Sequence, residues 1–174
     1  MSVIHQSALD YHPGRRQRPR HRRRLTTGLV IALSWVMPPA AATTSITAAG
    51  DISNAPGGPR HDRLTADLIR RWNPTAVLAL GDVQYEAGEL VNFQQAYDRS
   101  WGAFKAKTHP SVGNHEYLGG DGAAGYFDYF GAAAGPRGLG YYSFDVGSWH
   151  VVALNSSCAM VPGGGCGHGS AQWA

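Results

Sequence analysis

Short apolar runs alternate with amphipathic stretches along residues 45–155, and several of the runs end in glycine followed by a polar word. Residues 45–49 are partly β-branched and stop at Gly50, which predicts a first strand. Residues 54–60 are rich in Pro and Gly and predict a loop. From Asp62, the apolar residues Leu64, Leu68, Ile69 and Trp72 recur at helical spacing, and Asn73 and Pro74 end the helix. Residues 75–80 form a continuous apolar run of strand length, ending at Gly81. Strand, helix and strand in this order predict a parallel pair joined by a right-handed crossover.

Leu90, Phe93, Tyr97, Trp101 and Phe104 then fall three and four apart, the pattern of a second helix that packs its aromatic stripe into a core. Residues 109–112 predict a short strand, and 124–130 a short helix or turn that packs aromatics. Two further strands are expected over 138–147 and 148–155, joined near Gly147 and antiparallel. Residues 170–174 resemble the start of one more helix, so the chain is expected to be the N-terminal part of a longer domain. The fold class expected is α/β, of the α+β sandwich type.

Charge separates the first 42 residues from the rest. Seven of the fifteen Lys and Arg lie within 15–24, an apolar stretch follows over 25–37, and the segment ends in Pro38, Pro39 and three alanines. A basic start, a short apolar centre and an Ala-x-Ala end describe a secretory signal peptide over 1–42. The apolar centre is shorter than the roughly 20 residues a membrane span requires. A secreted or extracytoplasmic location is therefore expected, with membrane contact only during export and no nucleic-acid partner. Residues 43–174 keep eight Lys and Arg against eleven Asp and Glu, a formal charge of −3. The basic balance of the whole chain thus belongs to the leader. Cys158 and Cys166, the only cysteines, are expected to pair as a disulfide in an oxidising compartment.

The candidate chemistry lies at the ends of the predicted strands: Asp51 after Gly50, Asp82 and Tyr85 after Gly81, and Asn114, His115 and Glu116 after Gly113. Open parallel sheets gather such residues at one edge, so groups spread over 66 residues can meet. One carboxylate can hold one metal and a second can bridge two, and two divalent ions about 3.5–4 Å apart suit phosphoester hydrolysis. Each Asp is alternatively the N-cap of a following helix. Asn114 can coordinate through its carbonyl oxygen. His115 can move a proton near neutral pH. Glu116 either orients His115 or is solvated.

The order Gly-Asp, Gly-Asp-x-x-Tyr, Gly-Asn-His-Glu resembles the calcineurin-like metallophosphoesterase superfamily and is most similar to its purple acid phosphatase branch. The resemblance runs from about residue 46 to 116 and more loosely to Asn155. It implies a β-sandwich flanked by helices, two metal ions (iron with iron, zinc or manganese) and hydrolysis of phosphate monoesters. By position, Asp51 would bind the first metal, Asp82 would bridge, Tyr85 would be the coloured tyrosinate ligand, Asn114 would bind the second metal and His115 would be catalytic. Ser53 stands where many members carry histidine, which suits the tyrosine variant. The family's downstream histidine words are absent. His150 is expected to be structural in an apolar strand and His168 exposed, while His61 and His109 carry no motif. The expectation is an exported metal-dependent phosphoesterase acting on a phosphorylated small molecule, of which this chain would be an N-terminal part lacking groups the reaction needs. The alternative is a non-catalytic secreted module that keeps the fold and binds a partner or an anionic ligand.

Overall fold

The three leading apolar runs form one parallel sheet in the computed structural model, which describes residues 43–163 and 165–173. Its strands are β1 (Ile46–Ala49), β2 (Ala76–Leu80) and β3 (Thr108–Ser111), in the order β1-β2-β3. Ala48 lies opposite Leu78, and Leu78 opposite His109. α1 (His61–Trp72) connects β1 to β2, as the strand-helix-strand pattern predicts. Asn73 ends α1 in the left-handed conformation, its N–H donating to the Ile69 carbonyl at 2.8 Å. The expected signal peptide over 1–42 lies outside the described residues.

Alternation along β2 sorts its two faces. Val77 and Ala79 are completely buried, whereas Leu80 is 53% exposed. The buried face joins a core that includes Ile69, Phe93, Trp101 and Phe104. The other face meets a hairpin of β4 (Tyr142–Val146) and β5 (Trp149–Ala153), which pair antiparallel with Val146 opposite Trp149. The Phe144 ring stacks on His109 at 3.7 Å with a 2° interplanar angle, and the Tyr142 hydroxyl donates to the Pro110 carbonyl at 2.8 Å. The architecture is thus mixed α/β: a three-strand parallel sheet, a two-strand antiparallel hairpin, and helices.

Two helical expectations need correction. On α1 only Ile69 of the periodic apolar residues is buried: Leu64 and Trp72 are 66% and 69% exposed, and the inward residues are Asp62, Ala66 and Ile69. An ion pair sets this rotation. Arg60 donates to Asp62 at 2.9 and 3.0 Å, and the Ser100 hydroxyl donates to the same carboxylate at 2.5 Å. The small Ala66 faces inward on the same stripe.

The second correction concerns residues 90–107. They form α2 (Leu90–Gln95) followed by 3-10 turns over Tyr97–Arg99 and Trp101–Lys107, instead of one helix. The breaks fall where tertiary partners claim the backbone. Arg60 donates to the Ala96 carbonyl at 3.1 Å, and Ser100 turns its hydroxyl toward Asp62. Even so, Phe93, Tyr97, Trp101 and Phe104 are all buried, so the aromatic stripe is core as expected. α3 (Ala124–Phe130) completes that core, with Phe93 stacked on Tyr129 at 4.8 Å.

The Asp62 cluster yields the first prediction. Burial alone would push this carboxyl up, but Arg60 and Ser100 together hold it below its ordinary value. A depressed carboxylate pKa contributes stability above the unfolded value and loses it as pH falls through the folded one. Arg60→Met is therefore expected to cost about 2 kcal/mol at neutral pH, below the usual 3–5 for a buried pair because Arg60 is partly exposed. The gap between variant and wild-type urea midpoints is expected to shrink below about pH 4. A gap independent of pH would contradict this account.

Candidate metal centre

Backbone pairing continues past the ends of β1 and β2 and carries the candidate ligands with it. Asp51 N–H donates to the Gly81 carbonyl at 3.3 Å, Ile52 to Asp82 at 3.1 Å, Ser53 to Val83 at 3.1 Å, and Tyr85 back to Ser53 at 2.8 Å. The two Gly-Asp words therefore sit side by side. Asp51 and Asp82 both adopt left-handed backbone, with φ of 53° and 47°. This region is unfavourable for most side chains and tolerated by Asp. Neither residue caps a helix, because Arg60 and Glu89 occupy the N-cap positions of α1 and α2. The capping alternative is thereby removed.

The side chains converge. The Tyr85 hydroxyl donates to Asp51 Oδ1 and lies 3.5 Å from Asp82 Oδ2. Asp51, Asp82 and Asn114 line one open cavity of about 260 Å³, together with Ser111, Leu154 and Ser156. No Lys, Arg or His lines it. Two carboxylates facing each other across a phenol, with no cationic side chain among them, suit a hard cation. Burial, the bond to Asp51 and the nearby Asp82 charge all push the Tyr85 phenol above its ordinary value.

His115 stands beside this group without lining the cavity. Its backbone N–H donates to Asp82 Oδ1 at 3.0 Å, and its ring packs edge-on against Tyr85 at 4.5 Å. Ring Nδ1 lies 2.6 Å from the Glu86 carbonyl oxygen. A carbonyl only accepts, so Nδ1 carries the proton and Nε2 is left free for exchange.

Glu116 follows neither of its expected roles. It is fully buried and does not bond the His115 ring. Its Oε1 accepts the N–H groups of Val83 and Gln84 at 2.7 and 3.1 Å, and its Oε2 those of Asp82 and Gly113 at 3.1 and 2.8 Å. Burial pushes the carboxyl up, and the N–H bonds from Gln84, Gly113 and Val83 oppose that shift. The sequence offered one signal for this clamp. The three-residue spacing from Gly113 to Glu116 lets a carboxylate reach back to an N–H, as in a capping box.

Glycine is required at 113 by proximity. A Cβ there would lie 2.2 Å from both Asp82 N and Asp82 Oδ1. The loop bearing Asn114 thus rests directly on the loop bearing Asp82.

The other described histidines lie apart from this group. His150 lies in β5, the expected strand, where it is exposed and its Nδ1 sits 2.7 Å from Oδ1 of its cross-strand partner Asp145. His109 stacks on Phe144, and His61 and His168 are exposed. Among the described residues no group of three or more His, Cys, Asp or Glu is placed to hold a metal ion. The centre is built from two carboxylates, a phenol and a carboxamide.

Cys158 and Cys166 form the expected disulfide, with Cα atoms 5.0 Å apart. It closes the segment after Asn155, a buried residue that sequence reasoning did not assign a role. Asn155 Nδ2 donates to the Tyr117 hydroxyl at 2.8 Å, which ties the Ser156 rim of the cavity to the turn after Asn114. No protein-family model, curated protein or solved structure matches this chain.

Proposed function

We propose that the chain carries the ligand loops of an exported, metal-dependent phosphoesterase that hydrolyses phosphate monoesters. The observation that carries this reading is that Asp51 and Asp82, both reached by the Tyr85 hydroxyl, line one cavity with Asn114 and with no cationic side chain. An anionic substrate would be repelled by two bare carboxylates, so the residues call for a cation before a phosphate. The motif resemblance supplies the finer reading: a metallophosphoesterase sandwich of the purple acid phosphatase type, with iron paired to iron, zinc or manganese.

Asp51, Asp82 and Tyr85 would hold one ion, and Asp82 and Asn114 would reach a second. Bound ions would polarise a phosphoryl oxygen and lower the pKa of water. The chain's own residues then have defined tasks. Asp82 fixes the His115 backbone, and the Glu86 carbonyl holds the Nδ1 proton. His115 Nε2 can donate a proton to a departing alkoxide once the ring is protonated. The polar cavity, with Leu80, Val112 and Leu154 as its apolar lining, suits a phosphate with a small leaving group.

The test combines elemental analysis of the mature chain with hydrolysis of a chromogenic phosphomonoester in the presence of iron, zinc or manganese. About two ions per chain and chelator-sensitive hydrolysis are expected. Tyr85→Phe is expected to abolish any purple absorption of the iron-loaded protein, and full retention of the colour would reject tyrosinate ligation. A second reading, a secreted module without catalysis, is favoured by the scarcity of imidazole and carboxylate donors. Metal-free protein with no hydrolysis after metal addition would select it.

A further inference from the structure

We infer that Glu116 is the positioning residue of the centre: it holds Asp82 in its ligand geometry by filling a ring of backbone N–H groups. The inference rests on the metal-centre reading and adds a residue that the motif resemblance does not assign. Asp82 has left-handed backbone, and the N–H groups of Asp82, Val83 and Gln84 all converge on one carboxylate. Successive N–H groups around a left-handed residue form an anion-binding nest. Glu116 supplies the anion from within the chain and spends its remaining bond on Gly113.

The four donors flank the proposed ligands. Asp82 is itself one, Gln84 precedes Tyr85 and Gly113 precedes Asn114. One buried carboxylate therefore fixes both loops that carry three of the four side chains. Glu116 is in turn wedged from behind, since a Cβ on Gly88 would lie 2.9 Å from its Cα. Gly88 also abuts α3, where a Cβ on Gly125 would come within 2.1 Å of the Gly88 carbonyl. The nest is thus braced by the aromatic core.

Glu116→Gln tests the assignment because it keeps size and removes acceptors. The amide group would turn an NH2 toward two of the four N–H groups. Binding of Mn2+ or Zn2+ is measured by calorimetry below the melting temperature, beside amide hydrogen exchange in the metal-free protein. Folded Glu116→Gln is expected to bind about tenfold more weakly or worse, with faster exchange at Asp82, Val83, Gln84 and Gly113. Arg60→Met serves as the comparator: it is destabilised through the remote Asp62 cluster and is expected to keep wild-type metal affinity. If Glu116→Gln does not melt cooperatively, Glu116→Asp carries the same comparison, with a shorter reach that weakens affinity while retaining charge. Wild-type affinity in a folded variant overturns the assignment, as does unchanged exchange at the four amides. If wild-type protein binds neither metal, the metal-centre reading fails by itself, and the exchange data still decide whether Glu116 holds the loop.

Discussion

Gly113→Ala is expected to disable the centre and to destabilise the fold by about 3 kcal/mol or more. The added methyl would sit 2.2 Å from Asp82 N and Asp82 Oδ1 and 2.9 Å from the Gly81 carbonyl carbon. Two of those atoms are backbone, so no side-chain rotation relieves the overlap. Overpacking a close contact costs about 1–3 kcal/mol by itself. Moving the loop away adds the loss of the N–H bond from Gly113 to Glu116 and weakens the bond from Asp82, and each unsatisfied buried donor costs about 1–3 kcal/mol. Gly167→Ala is the matched control: nothing lies within 4 Å of its would-be Cβ, and its stability is expected to be unchanged. Thermal melts and metal titrations of the two variants check the contrast. A Gly113→Ala protein with wild-type stability would mean that the two loops do not touch.

Much of this arrangement was legible because the signal was local. The apolar runs ending in glycine placed β1 and β2 to within a residue, and parallel pairing followed from the helix between them. Sheet geometry then brings Asp51 and Asp82 together whatever the intervening loop contains. The rotation of α1 was not legible. Counting apolar residues favours Leu64, Leu68, Ile69 and Trp72, of which only Ile69 is buried, and Asp62 turns inward because Arg60 and Ser100 satisfy it, partners that lie 2 and 38 residues away. The same cluster interrupts the helix expected over 90–104, although each residue there carries the right periodicity. Periodicity registers burial, and burial survived the interruption.

Glu116 illustrates a different limit. A glutamate in a polar word reads as exposed or as a partner for the neighbouring histidine. Its actual partners are backbone N–H groups up to 34 residues distant, which no side-chain pattern encodes. Asn155 and Ser156 likewise acquire roles only through the disulfide-closed segment that follows the hairpin. Asp51, Asp82 and Tyr85, singled out for their own side chains, do lie together. Residues whose task is to hold another segment's backbone were not recognised as such.

Asp82→Asn is expected to separate metal binding from folding. Asp82 Oδ1 accepts the His115 N–H at 3.0 Å, and an asparagine oxygen can keep that bond. The Oδ2 position becomes an NH2 facing the Tyr85 hydroxyl, 3.5 Å away in the wild type, which removes one anionic donor from the centre. If Asp82 bridges two ions, as proposed, its loss is expected to remove bound metal and to lower phosphomonoester hydrolysis by about 10³-fold, the equivalent of about 4 kcal/mol of transition-state stabilisation. The metal-free variant is expected to be as stable as wild type or about 1 kcal/mol more so. Asparagine tolerates the left-handed conformation at φ 47°, and the facing charge on Asp51 loses its neighbour. Stability and function thus move in opposite directions, the signature of a residue kept for binding at a cost to the fold. Elemental analysis, hydrolysis rates and chemical melts read the three quantities separately. Wild-type metal content in Asp82→Asn would remove Asp82 from the centre, whereas a large loss of stability would make its carboxylate a structural group.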